Sequence, residues 1–202
     1  IHANKSETRS SGASNRRPNF ASICNKFNKF KFEIFIRNDF MQLFCCCCEQ
    51  LPIIEYLNET RKGFGRDLLP NDSIKRAKAR MLAEIVNSGI QPYQNANVAQ
   101  RIQRELGDSK RDEWLQHYIE KGLVAFEAAL KETSGGKYCV GNDVSMADLC
   151  LVPQVYAAKR FRVDISRFSL ISRINSELER LPEFRRAHAH RQIDTIEKLR
   201  EN

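Results

Sequence analysis

The sequence predicts an all-α domain over residues 71–202, and three observations support that prediction. First, apolar residues there recur at intervals of three and four, and Gly and Pro separate the periodic segments. Second, a capping box introduces an almost wholly apolar segment that begins at Met146. Third, strand-like alternation is confined to residues 28–36, and no second such run precedes Leu51 to pair with it.

Length and composition are those of a globular protein with one or two domains. The 202 residues are 42% hydrophobic and 29% charged, and no stretch approaches the roughly 18 uninterrupted apolar residues of a membrane helix. The net charge of +8 is not concentrated, because Lys and Arg lie beside acidic residues, as in Arg101 to Glu105. We therefore expect a soluble protein with neither a nucleic-acid nor a membrane partner.

The seven cysteines do not predict a metal site. Four of them, Cys45 to Cys48, are consecutive, and adjacent side chains that point in alternate directions cannot readily close one tetrahedral site. Cys45 and Cys48 formally make a C-x-x-C pair, but a redox motif needs that pair at a helix start inside a βαβ unit. Cys24, Cys139 and Cys150 are isolated, and Cys150 lies in an apolar run, where a small buried thiol is expected. We therefore expect a reducing compartment.

Residues 1–48 are predicted to be a disordered or non-native extension. Residues 1–26 are rich in Ser, Asn, Arg and Lys without apolar periodicity, which also fits a transit peptide, and the chain opens on Ile1 rather than Met. The lone strand-like run that follows has no partner. Our leading interpretation is that the segment is not native to the domain that follows, for example because it is translated from non-coding sequence, and a poorly ordered natural extension is the alternative.

Leu51–Thr60 is the first predicted helix, because Ile53, Ile54 and Leu57 fall on one face. Gly and Pro residues then mark a linker to a second helix, Ser73–Ser88. The expected apolar face of this second helix consists of Ala77, Met81, Leu82, Ile85 and Val86.

An interruption is predicted at Gly89 and Pro92, followed by a helix from Tyr93 to Leu106. Ser109 to about Lys131 is the clearest amphipathic helix, and a Gly pair follows it. Its expected buried stripe consists of Leu115, Tyr118, Ile119, Gly122, Phe126 and Leu130.

The most specific folding signal is the capping box of Ser145 and Asp148, with Val144 and Leu149 as its hydrophobic staple. The helix that follows, from Met146 to about Lys159, is apolar nearly all round and should be the buried centre of the domain. Two further helices are expected to pack around it, Leu170–Leu181 and Glu183 to about Ala189.

Several of these segments resemble the helical domain of zeta-class glutathione transferases. The longest and most specific run extends from Tyr138 to Val155, and Gly89 to Pro92 and Arg160-Phe161 add to it. Upstream, Ile53 to Arg61 and Leu68 to Pro70 resemble the last helix of the family's thioredoxin-like domain and the linker after it. The resemblance covers about three quarters of the chain and implies a remnant of that domain at 49–70, ahead of a helical domain at 71–202.

The resemblance implies a cytosolic homodimer that uses glutathione to convert maleylacetoacetate to fumarylacetoacetate in tyrosine and phenylalanine breakdown. Its substrates would be small dicarboxylic acids and α-haloacids. In such a reaction a thiolate adds to the double bond, the resulting single bond rotates, and elimination restores the alkene. The protein must raise the thiolate fraction and hold the substrate carboxylates.

The family's site residues carry over only in part. Gln91, Asn95 and Asn97 fall where the helical domain contacts glutathione, and Arg160 falls where a substrate carboxylate is bound. Gln50 stands in the Gln-Ser pair that receives the γ-glutamyl end, which here reads Glu49-Gln50. The simpler interpretations are that Gln91 is a polar residue in a helix interruption and Arg160 a cation at a helix end.

No catalytic residue is assigned, because the 202 residues contain no Ser-Ser-Cys motif, which activates the thiol in the family. The leading hypothesis is therefore a member of this family that is catalytically inactive as this chain stands. The alternative is a non-catalytic helical interaction module derived from a glutathione transferase.

Overall fold

The computed structural model describes residues 50–63, 65–133, 135–192 and 195, all within one compact unit, Cys47–Asn202. The predictions for residues 1–48, including the strand-like run and the C-x-x-C pair, lie outside the described residues. Those described residues contain helices and no strand, which confirms the all-α fold for this part of the chain. In chain order the helices are α1 Gln50–Thr60, α2 Ser73–Asn87, α3 Gln91–Gln94, α4 Ala96–Leu106, α5 Asp108–Thr133, α6 Met146–Arg160, α7 Ser169–Glu179 and α8 Pro182–Ala187, with short 3-10 turns at Ile165–Arg167 and Ala189–Arg191.

The predicted helix from Tyr93 to Leu106 is wrong as a single element, because the chain breaks at Asn95. This residue has ψ 138°, outside the helical region, and its side-chain oxygen accepts a hydrogen bond from the Asn97 N–H at 2.9 Å. Asn95 therefore ends α3 and caps α4. The hydrogen bond from a backbone N–H to an Asn side chain is an alternative to the intrahelical backbone bond, so an Asn can interrupt a helix at its own position.

The core is built around α6, as the sequence predicts. This helix packs mainly against α2 and also contacts α5 and α7. Because it is surrounded on several sides, most of its residues are buried, including two polar ones. Its buried residues are Met146, Ala147, Asp148, Cys150, Leu151, Gln154, Val155 and Ala158.

The face that α2 buries differs from the predicted one. Leu82 and Val86 are buried as expected, but Met81 is 45% exposed and Ala77 is also exposed. The small side chains of Ala79 and Ala83 are buried instead. Alanine occurs on several sides of this helix, so its pattern alone does not fix the face, and the small residues allow close approach to α6.

Asp148 anchors the start of α6. Its carboxylate is fully buried and accepts hydrogen bonds from the Ser145 N–H and hydroxyl, both at 2.8 Å, which confirms the capping box. It also accepts the Cys139 N–H at 3.0 Å. One side chain therefore joins the helix start to the tight turn between Tyr138 and Gly141, where a backbone bond of 2.9 Å closes an isolated bridge.

Backbone hydrogen bonds of Leu68 hold the linker between α1 and α2 against α1 and against the start of α6. The Leu68 N–H donates to Asn58 Oδ1 at 2.6 Å, and the Leu68 carbonyl accepts the Met146 N–H at 2.8 Å. The first of these bonds reaches α1 and the second satisfies a free N–H at the start of α6. An ion pair of 2.6 Å between Glu55 and Arg80 also links α1 to α2. Residues 50–70 are thus held against the helical core by specific polar contacts.

The start of α7 is capped by a side chain from α5. Glu127 accepts the N–H groups of Leu170 and Ile171, both at 2.9 Å. A carboxylate at a helix N-terminus satisfies free donors and opposes the positive end of the helix dipole. This contact sets α7 against α5 without a capping residue of its own, since Phe168 at the N-cap position makes no side-chain cap.

Candidate functional site

The residues that the sequence singles out lie on three parts of the fold. Gln50 is the exposed first residue of α1. Gln91 opens α3, and Asn95 and Asn97 lie at the start of α4. Arg160 is the last residue of α6. The short segment 91–97 therefore carries three of the five predicted site residues.

Gln91 is joined to α6 through a network of three side-chain amides. Its Nε2 donates to Oε1 of Gln154 at 3.1 Å. Gln94 exchanges two hydrogen bonds with the same residue, donating to Oε1 at 3.0 Å and accepting from Nε2 at 3.2 Å. Gln154 itself is fully buried in the middle of α6. A buried amide without partners costs about 1–3 kcal/mol, so these bonds are required rather than incidental.

The side of α3 away from Gln154 is held by aromatic residues of α5. The Trp114 indole N–H donates to the Tyr93 carbonyl at 3.0 Å. The rings of Tyr93 and Tyr118 stack with centroids 4.2 Å apart, and Trp114 tilts against Tyr118 at 4.5 Å. None of the four residues of α3 is buried, so hydrogen bonds and ring contacts, rather than core packing, fix this helix.

Asn95 and Asn97 face solvent beside this helix. Both side chains are exposed, and the Asn95 carbonyl oxygen is used to cap α4. Its amide nitrogen makes no hydrogen bond within the described part of the chain. The structure therefore gives Asn95 a definite structural role and leaves its N–H groups available.

Arg160 occupies the exposed C-terminal end of α6. Its guanidinium lies 5.8 Å from the Phe161 ring centroid, and a cation there favours the helix dipole. The simpler interpretation of this residue, a surface Arg at a helix end, therefore fits the structure. Tyr156 lies one turn earlier on the same face, and its hydroxyl is 2.9 Å from Nε2 of His190.

The two described thiols are poorly suited to nucleophilic chemistry. Burial, reinforced by the Asp148 carboxylate, raises the pKa of Cys139 well above its ordinary value. Burial also raises the pKa of Cys150 to about 12, with smaller contributions from Glu84 and Asp148. Both groups are therefore protonated near neutral pH.

Two classes of site receive no support from the part of the chain that the structure describes. Among residues 50–192, apart from positions 64 and 134, no three His, Cys, Asp or Glu side chains are grouped closely enough to hold a metal ion. None of the helices described is both long and apolar enough to cross a membrane.

A groove of about 560 Å³ runs between α2 and α5. Its walls include Met81 and the stacked Tyr93 and Tyr118, with Glu84 on the α2 side and Lys121 on the α5 side. Val124, nearby in sequence on α5, is 51% exposed. This face is apolar in its middle and carries opposite charges on its two sides.

Sequence reasoning missed the buried partner of the site, Gln154. The available signal was a single amide within the apolar run Leu149–Val155, because a polar residue at the centre of a buried helix must find a partner. Gln94 and Tyr156 were also missed. Their contacts join residues 60 and 34 positions apart, which no local pattern reveals.

Comparison with known proteins identifies relatives along most of the described chain. The family model "Glutathione S-transferase, C-terminal domain" matches residues 96–185. The chain is 51% identical over 146 residues to probable maleylacetoacetate isomerase 2 of Drosophila melanogaster, a match covering 72% of this chain and 61% of that protein. It is 48% identical over 152 residues to maleylacetoacetate isomerase of Mus musculus, covering 75% and 67%. The chain thus spans about three fifths to two thirds of these two relatives' length.

Solved structures give the same relationship. Maleylacetoacetate isomerase from Anaeromyxobacter dehalogenans 2CP-1, with dicarboxyethyl glutathione and citrate bound in its active site, superposes with a TM-score of 0.71 at 35% identity, over 77% of this chain and 69% of that one. A maleyl pyruvate isomerase described as a bacterial zeta-class glutathione transferase gives 0.68 at 34% identity, over 72% and 69%. The chain therefore belongs to the maleylacetoacetate isomerase family, the zeta class of glutathione transferases.

Proposed function

We propose that residues 50–192 form the helical side of a glutathione site in a maleylacetoacetate isomerase. The observation that carries the proposal is the amide network, in which a fully buried Gln154 holds Gln91 at the start of an otherwise exposed short helix. Glutathione is bound in the active site of a related structure. In this proposal, residues 49–70 are the end of the thioredoxin-like domain and its linker, and residues 71–202 are the helical domain.

The side chains present suit a peptide-like ligand. Among the described residues, Gln91 makes a side-chain hydrogen bond only through its Nε2, so its carbonyl oxygen is available to an N–H donor. Asn95 has the complementary property, because its oxygen is used and its N–H groups are available. A peptide offers both donors and acceptors. Asn97 and Gln50 would add neutral hydrogen-bonding groups, although the latter lies on a different helix.

Arg160 is proposed to bind a carboxylate of a small dicarboxylic or α-haloacid substrate. Its exposed guanidinium has no ion-pair partner within the described chain and can bind a carboxylate through two parallel hydrogen bonds. Tyr156 lies one turn away on the same face and would border this position. When glutathione is bound, it supplies the thiol chemistry of the reaction.

We further propose that this chain does not itself activate the thiol of glutathione. The 202 residues contain no Ser-Ser-Cys motif, and Glu49 stands where the family has a neutral residue near the γ-glutamyl carboxylate. A thiol of pKa about 8.5 is only a few per cent ionised at pH 7 without such help. We therefore expect this chain to bind glutathione without catalysing the isomerisation.

Replacing Gln91 by Ala tests glutathione binding. We expect glutathione to shift the backbone amide signals of residues 91–97 in a nuclear magnetic resonance titration, and the substitution to weaken binding about fivefold through loss of one hydrogen bond. Gln100→Ala, an exposed change on α4, should leave the affinity unchanged.

Shifts confined to other regions, or equal affinity for parent and Gln91→Ala, would contradict the proposed site. A weak but specific complex has a dissociation constant of about 1 mM. If glutathione causes no shift at concentrations up to about 20 times that value, the alternative of a non-catalytic interaction module is favoured.

The partner is proposed to be a second copy of this chain, bound through the face between α2 and α5. Met81 and Tyr93 give this face exposed apolar area, and Glu84 and Lys121 lie on opposite sides of it. A two-fold axis would set the acidic side of one copy against the basic side of the other, as in an isologous interface. The placement of Glu84 and Lys121 thus favours a second copy of this chain as the partner.

Substitution of Met81 by Glu tests this interface by sedimentation velocity. We expect the parent to sediment as a dimer and the variant to dissociate at least tenfold more readily, because a carboxylate replaces buried apolar area. Leu106→Glu, on an exposed apolar residue at the end of α4 (66% exposed, against 45% for Met81), is the control and should remain dimeric. A monomeric parent would contradict the proposal.

A further inference from the structure

Gln154 differs from its two partners in how little freedom it has. It has no exposed surface, whereas Gln91 and Gln94 are half-buried. Its carbonyl accepts two hydrogen bonds, which fills both lone pairs, and its nitrogen donates a third. Water can replace either partner's bonds at the surface but cannot reach the amide in the core. The buried Gln154 amide therefore fixes the positions of the two half-buried amides, rather than the reverse.

The short helix α3 depends on this constraint. Four residues make little more than one turn, and such a helix is not stable by itself. None of its residues is buried, and its side-chain and ring contacts to other helices come from Gln154 on α6 and the Trp114–Tyr118 pair on α5. The aromatic contacts involve Tyr93 and do not orient the Gln91 side chain. Only Gln154 does so among the described residues.

We infer that Gln154 is a positioning residue for ligand binding, acting by holding the Gln91 amide so that its carbonyl oxygen faces outward. Gln94 in turn fixes the rotation of the Gln154 amide, because it donates to the oxygen and accepts from the nitrogen of that amide. The inference that this orientation serves glutathione rests on the function proposed above. The orientation itself rests on the hydrogen bonds alone.

The first test uses the full chain without substitution. The side-chain amide protons of Gln91 and Gln94 should exchange with solvent at least tenfold more slowly than those of the exposed Gln100, measured by nuclear magnetic resonance. Equal exchange at positions 91 and 100 would overturn the inference before any variant is made.

The second test replaces Gln154 by Met, which is close in length and volume and has no hydrogen-bonding amide. We expect the Gln91 side-chain amide to approach the exchange rate and chemical shift of Gln100, and the glutathione dissociation constant to rise about tenfold. Gln100→Met is the matched control and should change neither. Circular dichroism and the thermal midpoint show whether the variant folds. If it does not fold, the exchange rates of the Gln91 and Gln100 amides in the unsubstituted chain support or overturn the inference.

The outcomes separate this inference from the proposed function. If Gln154→Met frees the Gln91 amide while glutathione binds equally well, the positioning role is overturned although binding stands. If the parent binds no glutathione, the proposed function fails, and the amide signal of Gln91 alone supports or overturns the orienting role. An unchanged Gln91 signal in a folded Gln154→Met variant overturns it in either case.

Discussion

Replacing Asp148 by Asn is expected to lower the free energy of unfolding by about 3 kcal/mol and the thermal midpoint by roughly 6–12 °C. The carboxylate is fully buried and accepts three hydrogen bonds, two from Ser145 and one from the Cys139 N–H. An Asn keeps one acceptor and turns an NH2 group toward the Ser145 N–H. That backbone donor would then be buried without a partner, and hydrogen bonds to a charged acceptor would be lost.

The control for this prediction is Asp143→Asn in the same connecting segment. Asp143 is exposed, so its substitution should change the thermal midpoint by less than about 2 °C. Urea unfolding followed by circular dichroism measures both variants. Equal stability of Asp148→Asn and the parent would show that the buried carboxylate does not anchor α6.

Replacing Gly122 by Ala is expected to destabilise the chain by about 2 kcal/mol, although Ala is the better helix former. A Cβ at this position would lie 2.2 Å from Cγ1 and 2.6 Å from Cδ1 of Ile90. Ile90 is fully buried just before α3, so its side chain has no open space to enter. The clash therefore outweighs the gain in helix propensity.

A second substitution identifies the cause. In an Ile90→Ala background the clashing atoms are absent, so Gly122→Ala should become neutral or stabilising by up to about 1 kcal/mol. This reversal of sign in a double-mutant cycle is specific to the Gly122–Ile90 contact. A loss of stability in both backgrounds would mean that the helix backbone, rather than Ile90, rejects the methyl group.

Local signals in the sequence predict most of the helices. The capping box of Ser145 and Asp148 gives the start of α6, and Gly89 and Pro92 give the break after α2, because these residues act on the backbone beside them. The capping bond of Asn95 is equally local, yet the break between α3 and α4 was not predicted, since Asn is also compatible with a helix interior.

The contacts that shape the site depend on the tertiary fold and were not predicted. Asp148 meets Cys139 only because the turn at Tyr138 folds back onto the helix start. Gln91 meets Gln154 across 63 residues, and its partner is visible in the sequence only as an unexplained polar residue. The buried face of α2 was misassigned because its alanines are compatible with several faces. Sequence pattern thus predicts the helices, whereas the residues that orient Gln91 require coordinates.

We propose that this chain provides the glutathione-binding helical side of the site and does not itself activate the thiol. The direct test is isomerisation of maleylacetone in the presence of glutathione, followed by absorbance, with the folded 202-residue chain and the maleylacetoacetate isomerase of Mus musculus in parallel. We predict that the mouse enzyme accelerates the reaction, while the rate with this chain equals that of glutathione alone at every protein concentration. A rate that rises in proportion to the concentration of this chain would contradict the claim.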